Sequence, residues 1–318
     1  MSGSPGATGA TPRRAAAEPG RDTRRGPVRI GAVVVAAGSG DRLGASTPKA
    51  LVELRGRSLL AHTLAGLAAA GLPPAVVVHT PGAGAAFAAA TGGLPVAALV
   101  PGGATRTASV AAGVAALDDD VEVVAVHDAA RPLTPPGVIA AAVEAVPVGG
   151  DVLAAAPGIP VADTLKRTTR PAGDRTPTGG AVGGGAQAAV RGGGGDLPEV
   201  VATVDRTGMV GIQTPQVFTR RVLATALRAV AEGREATDDL ALVEELRDAG
   251  RLTGRIVVVP GSVWSRKVTY RADLELLELL AAHADPGTLD PGGGQGGVPP
   301  APGAAGPAGR GRDGGGGG

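Results

Sequence analysis

The chain has 318 residues, among them 54 glycines and 27 prolines, and a formal net charge of +1. That balance supplies no bulk attraction to nucleic acid or to a membrane surface, so any anion site must be local. Cysteine is absent, which excludes disulfides, a thiolate zinc site and a cysteine nucleophile, and the four histidines (His62, His79, His127, His283) show no metal-ligand spacing.

Aromatic residues make up 1% of the chain, so the core must be built from Ala, Val, Leu and Ile. The glycine and proline excess falls in three places, which divides the chain. Residues 1–28 read as a disordered tail without the apolar segment of a signal peptide. Residues 29–284 are expected to form one α/β domain, and residues 285–318 a second disordered tail. No stretch approaches the length of a membrane span, so the cytoplasm is the default location.

The first ordered elements meet in the stretch Val33–Lys49, VVVAAGSGDRLGASTPK. A short apolar run, the pattern of a buried central strand, enters a loop holding Gly38, Gly40 and Gly44, then Arg42 and Lys49. Glycines let backbone N–H groups approach an anion, and the two cations suit a polyphosphate. The spacing excludes a Walker loop, because Lys49 stands apart from the last glycine. It also excludes a dinucleotide fingerprint, because the pattern is G-x-G-x-x-x-G and Pro48 interrupts the exit. On glycine spacing alone, a solvated basic turn stands as an equal reading.

Ser58 is placed to cap a helix running to about Ala70. Ala75–His79 reads as a second strand, with a short alanine-rich helix over Ala83–Ala90 and a third strand over Val96–Val100. The cluster Gly102–Ser109 leads into a helix to about Leu117. Val121–His127 is a fourth strand and runs into Asp128-Ala129-Ala130-Arg131-Pro132. A helix over about Pro136–Val146 precedes a fifth strand, Val152–Ala156. Strands alternating with helices predict a doubly wound, mostly parallel α/β sheet, and the A-A-G-x-G-x-R-x-G…P-K loop resembles the signature loop of the Rossmann-like nucleotidyltransferases. Ligands then sit beyond the carboxyl ends of the strands, and each of the three polar clusters falls just after a strand.

Further on, Ile159–Arg167 and Glu199–Arg206 alternate like exposed strands and predict a projecting two-stranded β-arm over about 159–206, with a glycine-rich insertion at 168–198. Pro215–Phe218 resumes regular structure, followed by a helix over about Thr219–Glu232. Thr237 is read as the cap of another helix to about Ala249, followed by a strand at Arg255–Val259, a loop carrying Lys267, and a helix over Arg271–His283.

Single residues have plain readings. Arg106 and Ser109 taken alone simply begin a helix. Asp128 alone equally suits a cap or turn former. Lys267 would sit on a solvated edge, Arg206 would end a strand, and His127 and Trp264 read as structural. The ordered set carries more: AAGSGDRLG…PK, GG-x-x-R-x-x-S, VHDAARP, ADTLKR, TVDR-x-G, TPQ-x-F, TDD and KVT. Together these motifs closely resemble the 2-C-methyl-D-erythritol 4-phosphate cytidylyltransferase family over roughly Ile30–His283, outside the insertion.

That resemblance implies transfer of CMP from CTP to methylerythritol phosphate with release of pyrophosphate, in non-mevalonate isoprenoid biosynthesis. It implies that Arg42 and Lys49 hold the triphosphate and stabilise the transition state, and that Arg206 and Lys267 position the attacking phosphate. It places Ala36, Ala37, Gly38, Gly40, Gly102 and Ser109 around CTP, largely through backbone. Asp128, Arg131 and Thr164 are placed at the polyol phosphate, with Asp128 also beside a Mg²⁺ cofactor held mostly by phosphates. The family's arm crosses to a partner, so a homodimer with Thr164 and Arg206 acting in trans is implied. Its partners are otherwise small molecules. The family usually has Asn-Ile before the KVT lysine, where this chain has Ser265-Arg266. Ribitol 5-phosphate as acceptor, or an inactive nucleotide-binding module, are the alternatives.

Overall fold

The computed structural model describes residues 26–38, 40–43, 47–169, 198–230 and 238–283. Residues 1–25, the tail from 285, Gly44, Thr237 and positions 170–197 of the expected insertion lie outside those residues.

The chain begins with β1 (Ile30–Ala36), a short hairpin of β2 (Glu53–Leu54) and β3 (Arg57–Ser58), and α1 (Leu59–Ala69). Then come β4 (Ala75–His79), α2 (Gly84–Ala90), β5 (Val96–Pro101), α3 (Arg106–Ala115), β6 (Val123–Asp128) and α4 (Pro136–Glu144). The second half holds β7 (Val152–Pro160), β8 (Leu165–Thr168), β9 (Val200–Val204), β10 (Val210–Ile212) and β11 (Gln216–Thr219). It closes with α5 (Arg220–Val230), α6 (Asp239–Asp248), β12 (Arg255–Pro260) and α7 (Arg271–His283).

The main sheet runs β5-β4-β1-β6-β11-β7-β12, with β10 also on β7. β1 is parallel to β4 and β6, and β12 is parallel to β7. β11 is antiparallel to both its neighbours, an inversion within an otherwise parallel core. The doubly wound expectation holds because successive strand residues serve opposite faces. Val33, Val76 and Val124 pack with α3, α5 and α6, through Val110, Leu223 and Val243 among others. Ala32, Val34, Val77 and Ala125 pack with α1 and α4, through Leu60, Leu64 and Ile139. Each of the buried Val, Leu and Ile side chains among them contributes about 1.5–3 kcal/mol over leaving it in water.

Local chemistry sets the helix starts. Ser58 Oγ accepts from the Ala61 N–H at 3.1 Å, and Thr105 Oγ1 from the Ala108 N–H at 3.0 Å. For α6 the cap is Asp238, whose Oδ1 accepts from the Ala241 N–H at 2.9 Å, one residue past the expected Thr237.

The arm is shorter at its base than the alternation predicted. Ile159 and Pro160 belong to β7, because β10 pairs with Gly158–Pro160 and carries that strand beyond its buried part. β8 and β9 then pair antiparallel, Leu165 opposite Val204 and Lys166 opposite Thr203. The last helix, α7, packs on the small hairpin and α1 through Leu277, Val268, Leu54 and Leu59, which fixes the loop carrying Lys267.

Candidate active site

A cavity of about 300 Å³ opens at the carboxyl ends of β1, β5 and β6, where an α/β sheet of this topology binds ligands. β1 delivers Ala36, Ala37 and Gly38 to its wall; the following loop brings Arg42 and Lys49. Gly40 has φ +84°, and a Cβ there would stand 3.1 Å from Lys49 Cβ, so only glycine lets the chain fold back on the lysine. Pro48 is extended and starts the single turn Lys49–Leu51.

The loop after β5 forms the facing wall. A Cβ on Gly102 would lie 2.6 Å from Ala37 Cβ, so the two backbone segments approach as closely as bare glycine allows. Ser109 lines the cavity, but its hydroxyl is engaged inside the loop. It accepts from the Gly103 N–H at 3.1 Å and donates to the Thr105 carbonyl at 2.9 Å. Ser109 therefore shapes the wall, which leaves small side chains and backbone to face a ligand.

Asp128, at the end of β6, is buried among three cations. Lys267 Nζ stands 2.8 Å from Oδ2, Arg106 3.4 Å from Oδ1, and Arg131 Nε 3.9 Å from Oδ2. Burial alone would raise this carboxyl; Lys267, Arg106 and Arg131 outweigh it and hold the group well below the ordinary carboxylate range. The rest of the HDAARP segment docks the Lys267 loop. The Val268 N–H donates to the Ala130 carbonyl at 2.8 Å, and Arg131 donates to the Ser265 carbonyl at 2.6 Å. His127 is buried against the Thr214 hydroxyl at 2.8 Å, and burial pulls it down to about 4, so it stays neutral at physiological pH.

Lys49 is pulled down to about 8, first by burial, then by Lys267 and Arg42, with Asp128 opposing. A second cavity of about 460 Å³ shares Arg42, Lys49 and Lys267 and adds Arg266, Tyr270 and Asp273. Arg42 lies over the Tyr270 ring, 5.9 Å from its centroid. Arg266, the departure from the family pattern, pairs with Asp273 at 2.9 Å, so its charge is answered on α7 and does not compete for Asp128.

Thr164 and Arg206 do not join this cluster. Both are exposed on the arm, where Arg206 donates to the Val161 carbonyl at 2.8 Å and to that of Ala162. Conversely, the structure adds residues that local reading missed. Arg106 does begin α3, as read, but it also lines the cavity and pairs with Asp239 at 2.7 Å across 133 residues. Gln216 of the TPQ motif accepts from the Asp239 and Leu240 N–H groups at 3.1 and 3.2 Å, fastening α6. The available signals were the arginine in GG-x-x-R-x-x-S and the TDD motif.

As arranged, Asp128 does not fit a metal ligand. Both its oxygens face cations, and an ion there would have to displace Lys267. Among the described residues no group of three His, Cys, Asp or Glu side chains is arranged to hold a metal ion. The arrangement instead suits a polyanion: cations at the rim and backbone with small residues at the wall.

The family model described as 2-C-methyl-D-erythritol 4-phosphate cytidylyltransferase matches residues 30–175 and 189–282. A protein of that name from Frankia casuarinae is 39% identical over 259 residues, covering 81% of this chain and 83% of that one. A bifunctional enzyme IspD/IspF from Clavibacter michiganensis is 42% identical over 264 residues, and the match spans only 55% of its length. The crystal structure of the Thermus thermophilus cytidylyltransferase superposes with a TM-score of 0.58 at 30% identity, covering 80% of this chain and all of that one. With the motifs, the fold and the cavity in agreement with these matches, the chain belongs to the 2-C-methyl-D-erythritol 4-phosphate cytidylyltransferase family.

Proposed function

We propose that this chain transfers CMP from CTP to 2-C-methyl-D-erythritol 4-phosphate, releasing pyrophosphate and forming 4-diphosphocytidyl-2-C-methyl-D-erythritol. The observation that carries this reading is the convergence of Arg42, Lys49 and Lys267 on one cavity walled by Ala36–Gly38 and the Gly102–Ser109 loop. An acceptor phosphate oxygen attacks the α-phosphorus of CTP, and the bond from that phosphorus to the bridging oxygen of the β-phosphate breaks. The nucleophile is already anionic, so no general base is required.

The obstacle is charge. A pair of unit anions at 4 Å repels by about 4 kcal/mol at an effective dielectric near 20. Arg42 and Lys49 are placed to take up the charge of the triphosphate and of the departing pyrophosphate. Lys267, aimed by Asp128, is placed to receive the acceptor phosphate, with Arg131 securing its loop. CTP is taken to enter as its Mg²⁺ complex, with the metal held on phosphate oxygens as part of the substrate. The wall of small side chains and backbone supports a pyrimidine as the base bound there.

The arm exposes Val200 and Val201, at 62% and 56%, and at its base Thr164 and Arg206, which line neither of the two cavities described above. A homodimer in which each arm covers the partner's site answers both facts. Among the described residues no helix is long and apolar enough to cross a membrane, and the substrates are soluble, which supports a cytoplasmic reaction.

The test is pyrophosphate release from CTP and Mg²⁺ with methylerythritol phosphate, ribitol 5-phosphate or no acceptor. Release with methylerythritol phosphate alone is expected. Preference for ribitol 5-phosphate would move the substrate, and CTP binding without release would leave an inactive nucleotide-binding module.

A further inference from the structure

The cytidylyl transfer gives no role to Asp239, the second aspartate of the TDD motif. Its side chain is buried at the first turn of α6, with Oδ2 2.7 Å from Arg106 and Oδ1 without a hydrogen-bond partner. Its backbone is held as well, because the N–H donates to Gln216 Oε1 while Gln216 Nε2 donates to Asp238 Oδ2 at 2.9 Å. Two motifs thus converge to fix one carboxylate that does not itself line the cavity but backs Arg106, which does.

What that carboxylate does follows from its neighbour. Arg106 lies between two aspartates and is drawn unequally: 2.7 Å to Asp239 against 3.4 Å to Asp128. Asp128 gives its close contact, 2.8 Å, to Lys267. A guanidinium presents a planar fork that pairs with carboxylate on two parallel bonds, whereas an ammonium is a compact point charge. Left with Asp128 as its sole anion, Arg106 would close on it and take the oxygens that Lys267 uses.

We propose that Asp239 is a positioning residue that holds the Arg106 guanidinium back from Asp128, and so leaves Asp128 free to seat Lys267 at the acceptor phosphate. This rests on the reading of Lys267 given above. It explains why a site built for anions contains buried aspartates: one aims the lysine, and the other keeps a stronger competitor from that task.

The experiment compares Asp239→Asn with the double variant Arg106→Met/Asp239→Leu, which removes competitor and restraint together. Asp239→Asn is expected to raise KM for methylerythritol phosphate about tenfold while Kd for CTP changes less than about twofold. The double variant is expected to bring the acceptor KM back to within about threefold of wild type, since nothing is then left to restrain. A purely structural role would disturb both substrates together and make the double variant no better than the single. Either result overturns the proposal, as does an unshifted acceptor KM in folded Asp239→Asn. If Asp239→Asn melts below the assay temperature, the double variant decides alone, and a tenfold rise in its acceptor KM overturns the proposal. Wild-type turnover is run alongside. Its absence would sink the assigned reaction, whereas its presence with an unshifted Asp239→Asn would sink only the positioning role.

Discussion

Around Asp128 the charged groups find their counter-charges within one chain: Lys267 at 2.8 Å, Arg106 at 3.4 Å, and Arg266 answered separately by Asp273. On the β8–β9 arm the two groups assigned to the same substrate have no such company. Thr164 is exposed, and Arg206 turns to backbone carbonyls at the arm's base. The first region is preorganised by burial and ion pairing, so its cations hold their positions before substrate arrives. The second presents polar groups and bare valines outward. The contrast teaches that half of the proposed acceptor site is complete in one chain and the other half needs a surface to face.

The largest effect should come from the preorganised half. Lys49→Ala removes a cation that lines both cavities and should lower kcat by roughly 10²–10³-fold, the scale of losing one preorganised donor to a transition-state charge. Single-turnover rates at saturating CTP would check it, and a rate near wild type would remove the Gly38–Lys49 loop from the chemistry. The arm half gives a different signature. Lys49→Ala and Arg206→Ala proteins should each be impaired alone, yet mixing them under subunit exchange should restore about a quarter of wild-type activity if arms act across a two-fold axis. Half the dimers are then mixed, and each has one site with both residues intact. No recovery on mixing, with exchange verified, would place Arg206 in its own chain's site or outside any site.

The same contrast marks what could be read from sequence. β1, β4 and β6 were legible because both faces are covered, which makes them short continuous runs of Val and Ala. The polar clusters after them were legible because a parallel sheet sends strand ends to one edge. The partners of those clusters were not. Arg106 begins α3 by local rules, and nothing near it in sequence announces Asp239, 133 positions away. Ser109 reads locally as a helix start, and nothing in the sequence shows that its hydroxyl is occupied by the Gly103 N–H and the Thr105 carbonyl. Adjacent Thr237 and Asp238 are both acceptable caps, and only geometry chooses. β11 inverts within the sheet through a strand of four residues, too short for periodicity to declare its direction.

The smallest effects concern Lys49 as an acid. Its folded value, about 8, lies below the unfolded 10.5, because burial and the neighbouring Lys267 and Arg42 oppose its charge. Phosphates entering the cavity favour the charged form, so CTP binding takes up a proton above pH 8. Kd for CTP should therefore be nearly flat below pH 8 and weaken by up to about tenfold per pH unit above it, until the value in the complex is reached. Titration calorimetry over pH 7–9.5 in buffers of different ionisation heat would show the proton uptake; a flat Kd would mean that the ammonium is not at the phosphates. Stability carries the opposite sign. Below pH 8 both folded and unfolded chains hold the charge, and the penalty of burying it is fully present. Between pH 8 and 10.5 the unfolded chain binds more protons, so folding gains as pH rises. At about 1.36 kcal/mol per pKa unit the penalty is at most roughly 3 kcal/mol. Lys49→Met, which deletes the charge and keeps the chain length, should accordingly raise Tm at pH 7 by several degrees, on a scale of about 2–4 °C per kcal/mol for a domain of this size. The Tm gap between variant and wild type should close as pH approaches 10.5, whereas a gap constant with pH would assign the gain to packing and leave the lysine unstrained in its site.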